Sequence, residues 1–177
     1  MDVSKSVERL LLKYPRVKAV ETEEIIEEDD FDNRKLASVN HPIEGAVAGV
    51  VMLENSHVVL AKRIKKDLWT IPGGRVELGE EFDVAFVREV YEETGLTVKI
   101  KGILSLESRT YKTASGRSMA FWFAVFFSEP NYGSPYTTDI AKSENLEIGS
   151  FELSSLPENM TEQDKYLIAK YESLMNL

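Results

Sequence analysis

Residues 74–96 read GRVELGEEFDVAFVREVYEETGL, placing Gly74, Glu80, Arg88, Glu89, Glu92, Glu93, Gly95 and Leu96 in the pattern Gly-x5-Glu-x7-Arg-Glu-Val-x-Glu-Glu-x-Gly-Leu. Phe82, Ala85, Phe86 and Val90, with Val84 and Val87, recur at helical spacing and predict a helix from about Phe82 to Thr94 that turns this side toward a core. Glu80, Glu81 and Asp83 crowd its start, where the helix dipole favours negative charge. Gly95 follows the last turn, where a residue of positive φ commonly ends a helix. On such a helix Glu89, Glu92 and Glu93 stand at i, i+3 and i+4 and share one face. Their repulsion weakens the helix unless a cation neutralises it, and hard oxygens without sulfur or imidazole suit Mg2+ or Mn2+ rather than zinc. Arg88 precedes Glu92 by four residues and can also reach Glu80, so it is expected to fix a carboxylate through two parallel hydrogen bonds.

Upstream, Trp69-Thr70-Ile71-Pro72-Gly73-Gly74-Arg75 carries paired glycines, which let a backbone turn tightly and approach a ligand or metal. The Gly73 carbonyl could then join the carboxylates. A glutamate-rich helix by itself is usually a solvated face with a few ion pairs, but the spacing reverses that judgement. Seven fixed positions at average composition coincide by chance in roughly one chain of this length per million.

These residues resemble the Nudix box of the Nudix hydrolase superfamily, G-x5-E-x7-R-E-U-x-E-E-x-G-U, with Val90 and Leu96 in the two aliphatic slots. The flanks agree: an apolar strand Ala46 to Leu53, a second at Val58 to Arg63, and the W-x-x-P-G-G entry. The resemblance covers about residues 43 to 157. It implies an α/β fold, a Nudix-type α/β/α sandwich around a mixed β-sheet, as a domain over residues 43–177 preceded by a helical or extended N-terminal extension, residues 1–42. It also implies Mg2+-dependent hydrolysis, with Mn2+ as substitute, of a nucleoside diphosphate linked to another moiety. The metal ligands carry over to Glu89, Glu92, Glu93 and the Gly73 carbonyl, and the supporting pair to Arg88 and Glu80. The general base stays open among Glu89, Glu92, Glu144 and Glu147.

A pyrophosphate resists attack because its oxygens repel a nucleophile, so a catalyst must neutralise charge, position water and take its proton. Clustered carboxylates titrate together, and activity is expected to rise toward alkaline pH. Bases stack on aromatic rings or arginine planes, and Tyr111, Trp122, Tyr132, Tyr136 and Trp69 are available; Tyr111 stands about where some dinucleoside polyphosphate hydrolases of the family carry a Tyr. Arg75, Arg109, Lys112 and Arg117 could meet substrate phosphates, with Arg75, Tyr111 and Arg109 the favoured substrate contacts. ADP-ribose, nucleotide sugars, dinucleoside polyphosphates and modified nucleoside triphosphates all stay open. His41 and His57 are given no catalytic role.

The chain's 177 residues, 43% of them hydrophobic, suit one globular domain, and its formal charge of −9 argues against a nucleic-acid polymer as substrate. The lack of cysteine excludes disulfides, thiolate catalysis and the cysteine-dependent isomerase chemistry found among Nudix relatives. The first residues lack a signal peptide's basic start and apolar run, making the cytoplasm the default location, and the apolar stretches are too short to span a bilayer as helices.

Val3 to Lys13 reads as an amphipathic helix with Val3, Val7, Leu10 and Leu11 on one side. The eight acidic residues between Glu21 and Asp32 read as a solvated surface. Strands are expected at Val98 to Glu107, Phe121 to Ser128 and Leu146 to Leu153, with a turn near Ser115-Gly116-Arg117. Thr161 with Asp164 three residues on starts a final helix to Met175. Homodimers are common among relatives with N-terminal extensions, and the first forty or so residues could serve one. The competing function is a nucleotide-binding or sensing domain of the same fold without turnover.

Overall fold

The computed structural model describes residues 3–40 and 43–176; His41 lies outside them. The elements in chain order are α1 (Val3–Lys13), β1 (Ala19–Ile25), α2 (Glu28–Asn40), β2 (Ile43–Met52), β3 (His57–Arg63), β4 (Leu68–Thr70), β5 (Gly73–Glu77), α3 (Phe82–Thr94), β6 (Thr97–Lys112), β7 (Ser118–Tyr132), α4 (Asp139–Ser143), β8 (Leu146–Glu152) and α5 (Glu162–Met175).

The strands form a sheet of order β1-β6-β7-β2-β3-β4, with β5 also on β2 and β8 also on β3. β1 runs parallel to β6 and β2 parallel to β7, while the other pairings are antiparallel, so the sheet is mixed as expected. Strand β2 is the hub. One edge pairs with β7; the other forks, with β5 along Ile43–Ala48 and β3 at Val51 and Met52.

Alternation along β2 sorts its side chains between two cores. Val47 and Val51 join Phe82, Ala85, Phe86 and Val90 of α3, with Val7 and Leu10 of α1 in the same cluster. Ala48, Val50 and Met52 join Leu167, Ile168 and Tyr171 of α5 on the opposite face. This is the three-layer α/β/α arrangement. Phe82 and Phe86 are fully buried, which contributes roughly 1.5–3 kcal/mol each by transfer from water. Two glycines make their fit possible: a Cβ at Gly45 would lie 2.9 Å from the Phe82 ring, and one at Gly49 2.5 Å from the Phe86 ring. The sheet therefore carries bare backbone where α3 presses closest.

Val84 departs from expectation. It is 56% exposed, because the apolar arc of α3 centres on Phe82, Phe86 and Val90 and position 84 falls beyond its edge. Val87 packs only partly against the core. The final helix is capped as expected, the Thr161 hydroxyl accepting from Asp164 N at 3.0 Å. The acidic run has more structure than a plain solvated face. It supplies β1, whose charged, exposed residues suit a sheet edge, and the first turn of α2. Within it Phe31 is buried beneath the Arg117 guanidinium, 4.3 Å from its ring, and Glu28 pairs with Arg117 at 3.0 Å. Among the described residues no helix is long and apolar enough to cross a membrane.

Candidate active site

The paired glycines lie in a strand, β5, and not in a tight turn. Their role is close approach. A Cβ at Gly73 would lie 2.2 Å from the Val47 carbonyl oxygen, and one at Gly74 2.4 Å from the Glu89 carboxylate. With no side chains intervening, β5 offers its N–H groups directly to α3: Gly73 N donates to Glu93 Oε2 at 3.1 Å and Arg75 N to Glu89 Oε1 at 3.0 Å. Helix α3 ends at Gly95, whose φ is 72° and whose N–H donates to the Tyr91 carbonyl.

Arg88 uses all five N–H donors of its guanidinium. Nε and Nη2 clamp the two oxygens of Glu80 at 2.9 Å each. Nη1 donates to Glu89 at 3.0 Å and to Glu92 at 2.9 Å. Nη2 also donates to the Arg75 carbonyl at 2.9 Å. One cation thus orients three carboxylates and joins α3 to β5. Glu80 Oε2 further accepts from Glu77 N at 3.1 Å.

The repulsion expected among the three glutamates is relieved chiefly by Arg88, with the carboxylates parted toward different donors. Among the described residues no three acidic or histidine side chains converge tightly enough to hold a metal as they stand. The donor chemistry nevertheless fits a hard divalent cation: Glu93 is only 5% exposed and, among the described residues, has no cation within ion-pair distance and accepts from a single backbone N–H. The unmet need at Glu93 is a positive charge.

Electrostatics agree. Burial, opposed by the Gly73 N–H and reinforced by Glu89, pushes the Glu93 carboxyl up to about 8. Burial also raises Glu89, against the charge and hydrogen bond of Arg88. For Glu80 burial is again the largest single influence and acts upward, but Arg88 and the Glu77 N–H together outweigh it and hold the carboxyl below its ordinary value. Because folded Glu93 binds its proton more tightly than the unfolded chain, its stabilising contribution is complete below the usual carboxylate range and is lost as pH rises toward 8. At about 1.4 kcal/mol per unit, metal-free wild type is expected to lose a few kcal/mol relative to Glu93→Gln between about pH 5 and about pH 8.5. Thermal melts of both proteins in chelator check this; parallel pH dependence would contradict it.

Of the two later acids, Glu144 opposes ionisation of Glu93 by its charge, and Glu147 stands opposite Lys62 in the β3–β8 pairing; both side chains are exposed. Thr138 fixes the short helix α4, which Glu144 follows. Its hydroxyl accepts from Ala141 N at 3.0 Å, capping α4, and donates to the Glu92 carbonyl, tying α4 to the last turns of α3. A Thr followed by Asp139 is a helix-start signal that sequence reading passed over.

The other predicted substrate contacts are placed differently. Arg75 contributes its backbone to the network while its side chain is exposed. Arg109 pairs with Glu107 at 2.7 Å and lies 4.1 Å over the Phe123 ring. Tyr111, 7% exposed, packs between the Arg34 guanidinium at 4.4 Å and the Phe121 ring at 5.3 Å, so its ring is occupied from within the protein. Lys112 and Arg117 pair with the acidic segment, Glu23 and Glu28 respectively. A groove of about 610 Å3 lies elsewhere, between Tyr14 and Val84, Val87 and Tyr91, and of the box acids and Arg88 only Arg88 borders it.

The NUDIX domain family matches residues 44–171. The chain is 30% identical over 138 residues, 77% of each protein, to the ADP-ribose pyrophosphatase of Methanocaldococcus jannaschii. It is 34% identical over 122 residues to the mouse 8-oxo-dGDP phosphatase NUDT18, covering 67% of this chain and 35% of that protein. Among solved structures, the MutT NUDIX hydrolase of Burkholderia pseudomallei superposes with a TM-score of 0.56 at 20% identity, over 72% of this chain and 96% of that one. The MutT protein of Methanosarcina mazei gives 0.55 at 16%, over 77% and 98%.

Proposed function

The chain belongs to the Nudix hydrolase family, and from that premise we propose that it hydrolyses the pyrophosphate linkage of a nucleoside diphosphate derivative with Mg2+, or Mn2+ in its place. Nudix hydrolases generally use divalent metal ions. The observation that carries the reading is Glu93, a buried carboxylate with no cation partner among the described residues, on the same helix as Glu89 and Glu92. Glu89, Glu92, Glu93 and the Gly73 carbonyl would hold the ion. When bound, it supplies charge neutralisation for the diphosphate and makes a water more acidic.

The rest is the work of the chain's own side chains. Arg88, with Glu80 locked against it, keeps Glu89 and Glu92 aimed from one guanidinium plane, so little reorganisation is needed as charge develops. Glu144, which follows the helix that Thr138 ties to α3 and whose charge acts on Glu93, is our choice for the group that accepts the proton of the attacking water. Small nucleotides are the substrate class, with ADP-ribose and 8-oxo-guanine nucleotides the first candidates because relatives carry those names. No nucleic-acid polymer is expected, given the net charge of −9.

The test is incubation with Mg2+ and a panel of ADP-ribose, nucleotide sugars, dinucleoside polyphosphates and normal and oxidised nucleoside triphosphates, with products resolved by chromatography. Metal-dependent cleavage of at least one, releasing a nucleoside monophosphate or a phosphorylated fragment, is the expected result. Tight nucleotide binding without product from any substrate would favour the non-catalytic alternative.

A further inference from the structure

The turn between β3 and β4 concentrates positive charge in an acidic protein: Lys62, Arg63, Lys65 and Lys66 are four cations in five residues of a chain with net charge −9. Its backbone is well defined. Ile64–Lys66 is one 3-10 turn, closed by Asp67 at φ 48°, whose N–H donates to the Ile64 carbonyl and whose carbonyl accepts from Asn159 Nδ2 at 2.7 Å. Lys62 is committed to Asp67 at 2.7 Å. Among the described residues the exposed side chains of Arg63, Lys65 and Lys66 make no hydrogen bond or ion pair.

The turn is joined to the segment that follows α4. Ile64 N donates to the carbonyl of Asn145, the residue after Glu144, at 3.0 Å. Arg63 is paired across the sheet with both Leu68 and Leu146, and its charge is felt by Glu93 and by Asp164. Free cations beside a cluster of acids have a specific use. The box carboxylates repel any phosphate beyond those the metal neutralises, so a longer phosphate chain needs separate positive charge at the rim. Lysines supply it as mobile point charges without demanding one geometry.

We infer that the turn Arg63–Lys66 binds a substrate phosphate beyond the two that flank the scissile bond, which makes a chain of three or more phosphates the preferred substrate. This rests on the hydrolase reading and narrows it. The extra phosphate could end a nucleoside triphosphate or bridge a dinucleoside polyphosphate.

Lys65→Ser/Lys66→Ser tests it, since both side chains are exposed and, among the described residues, form no hydrogen bond or ion pair to lose. KM and kcat are measured for ADP-ribose, a nucleoside triphosphate and a dinucleoside tetraphosphate. The expected result is a KM raised about tenfold for one or both longer chains, with kcat nearly unchanged, ADP-ribose parameters within about twofold, and a difference that shrinks with salt. Which longer substrate responds identifies the source of the phosphate. Equal change on all three substrates, or none on any, overturns the inference. A second arm is independent of turnover: inorganic tripolyphosphate titrated into metal-free protein should shift the Lys65 and Lys66 amide resonances more than pyrophosphate does, and the variant should lose this. If no substrate is cleaved yet this discrimination holds, the hydrolase reading falls and the phosphate site stands; if cleavage occurs without it, the reverse follows.

Discussion

Replacing Glu92 or Glu93 by Gln is expected to lower turnover by at least about a thousandfold while the protein stays folded, because a ligand to a charge-neutralising ion contributes several kcal/mol to the transition state. The two variants should differ in stability. Glu93 is buried and pushed up to about 8 by that burial, so its neutral amide relieves a desolvated charge and should stabilise the metal-free protein above neutral pH. Glu92 is more open, 31% exposed at its side chain, and bound to Arg88; its amide removes one charged acceptor and should cost about 1 kcal/mol or less after allowance for solvent screening. Steady-state rates with Mg2+ and melts in chelator read both effects. Full activity in either variant would remove the ligand role assigned to it.

Arg88→Ala is expected to have the largest structural effect of any single change at the site. It strips the charged partner from Glu80 and Glu89, whose side chains are 14% and 15% exposed, and releases the Arg75 carbonyl. Breaking a buried ion pair by removing one partner costs about 3–5 kcal/mol; partial exposure here reduces that to about 2–4 kcal/mol. Arg88→Lys should recover little, because a single ammonium cannot clamp both oxygens of Glu80 while reaching Glu89, Glu92 and a carbonyl. Denaturant midpoints of wild type, Ala and Lys variants give the result. A Lys variant as stable and active as wild type would show that charge alone suffices.

How much was legible beforehand depends on whether the information was local. The helix Phe82–Thr94 could be read because its apolar period, acidic start and terminal Gly95 lie in one segment. The Arg88–Glu80 clamp followed from spacing plus guanidinium geometry, but the reach of the same side chain to the Arg75 carbonyl depends on β5 crossing beside α3. The glycine pair was recognised as permitting close approach; that the approach occurs within a strand is set by pairing with β2, some 26 residues earlier. Strand β1 was hidden because its acidic composition masks alternation, and it forms on the edge of β6, whose partner residues lie 87 positions on. Tyr111 could not be resolved from its neighbours, since its ring is covered by Arg34, 77 residues upstream. Glu144 and Glu147 are equivalent in sequence, and what separates them is non-local: the Thr138 bond that ties α4 to α3, and the charge of Glu144 acting on Glu93.

The resemblance to solved Nudix structures supports the fold, while the metal chemistry rests on the helix acids themselves. The direct check is Mn2+ binding followed by electron paramagnetic resonance, titrating wild type and Glu93→Gln and watching the free-ion signal. Wild type should deplete the signal at the protein's own concentration, and Glu93→Gln should weaken that depletion by an order of magnitude or more. Equal binding by both proteins, or cleavage of the preferred substrate at full rate in excess chelator, would contradict the assignment of Glu89, Glu92 and Glu93 as the metal-holding face.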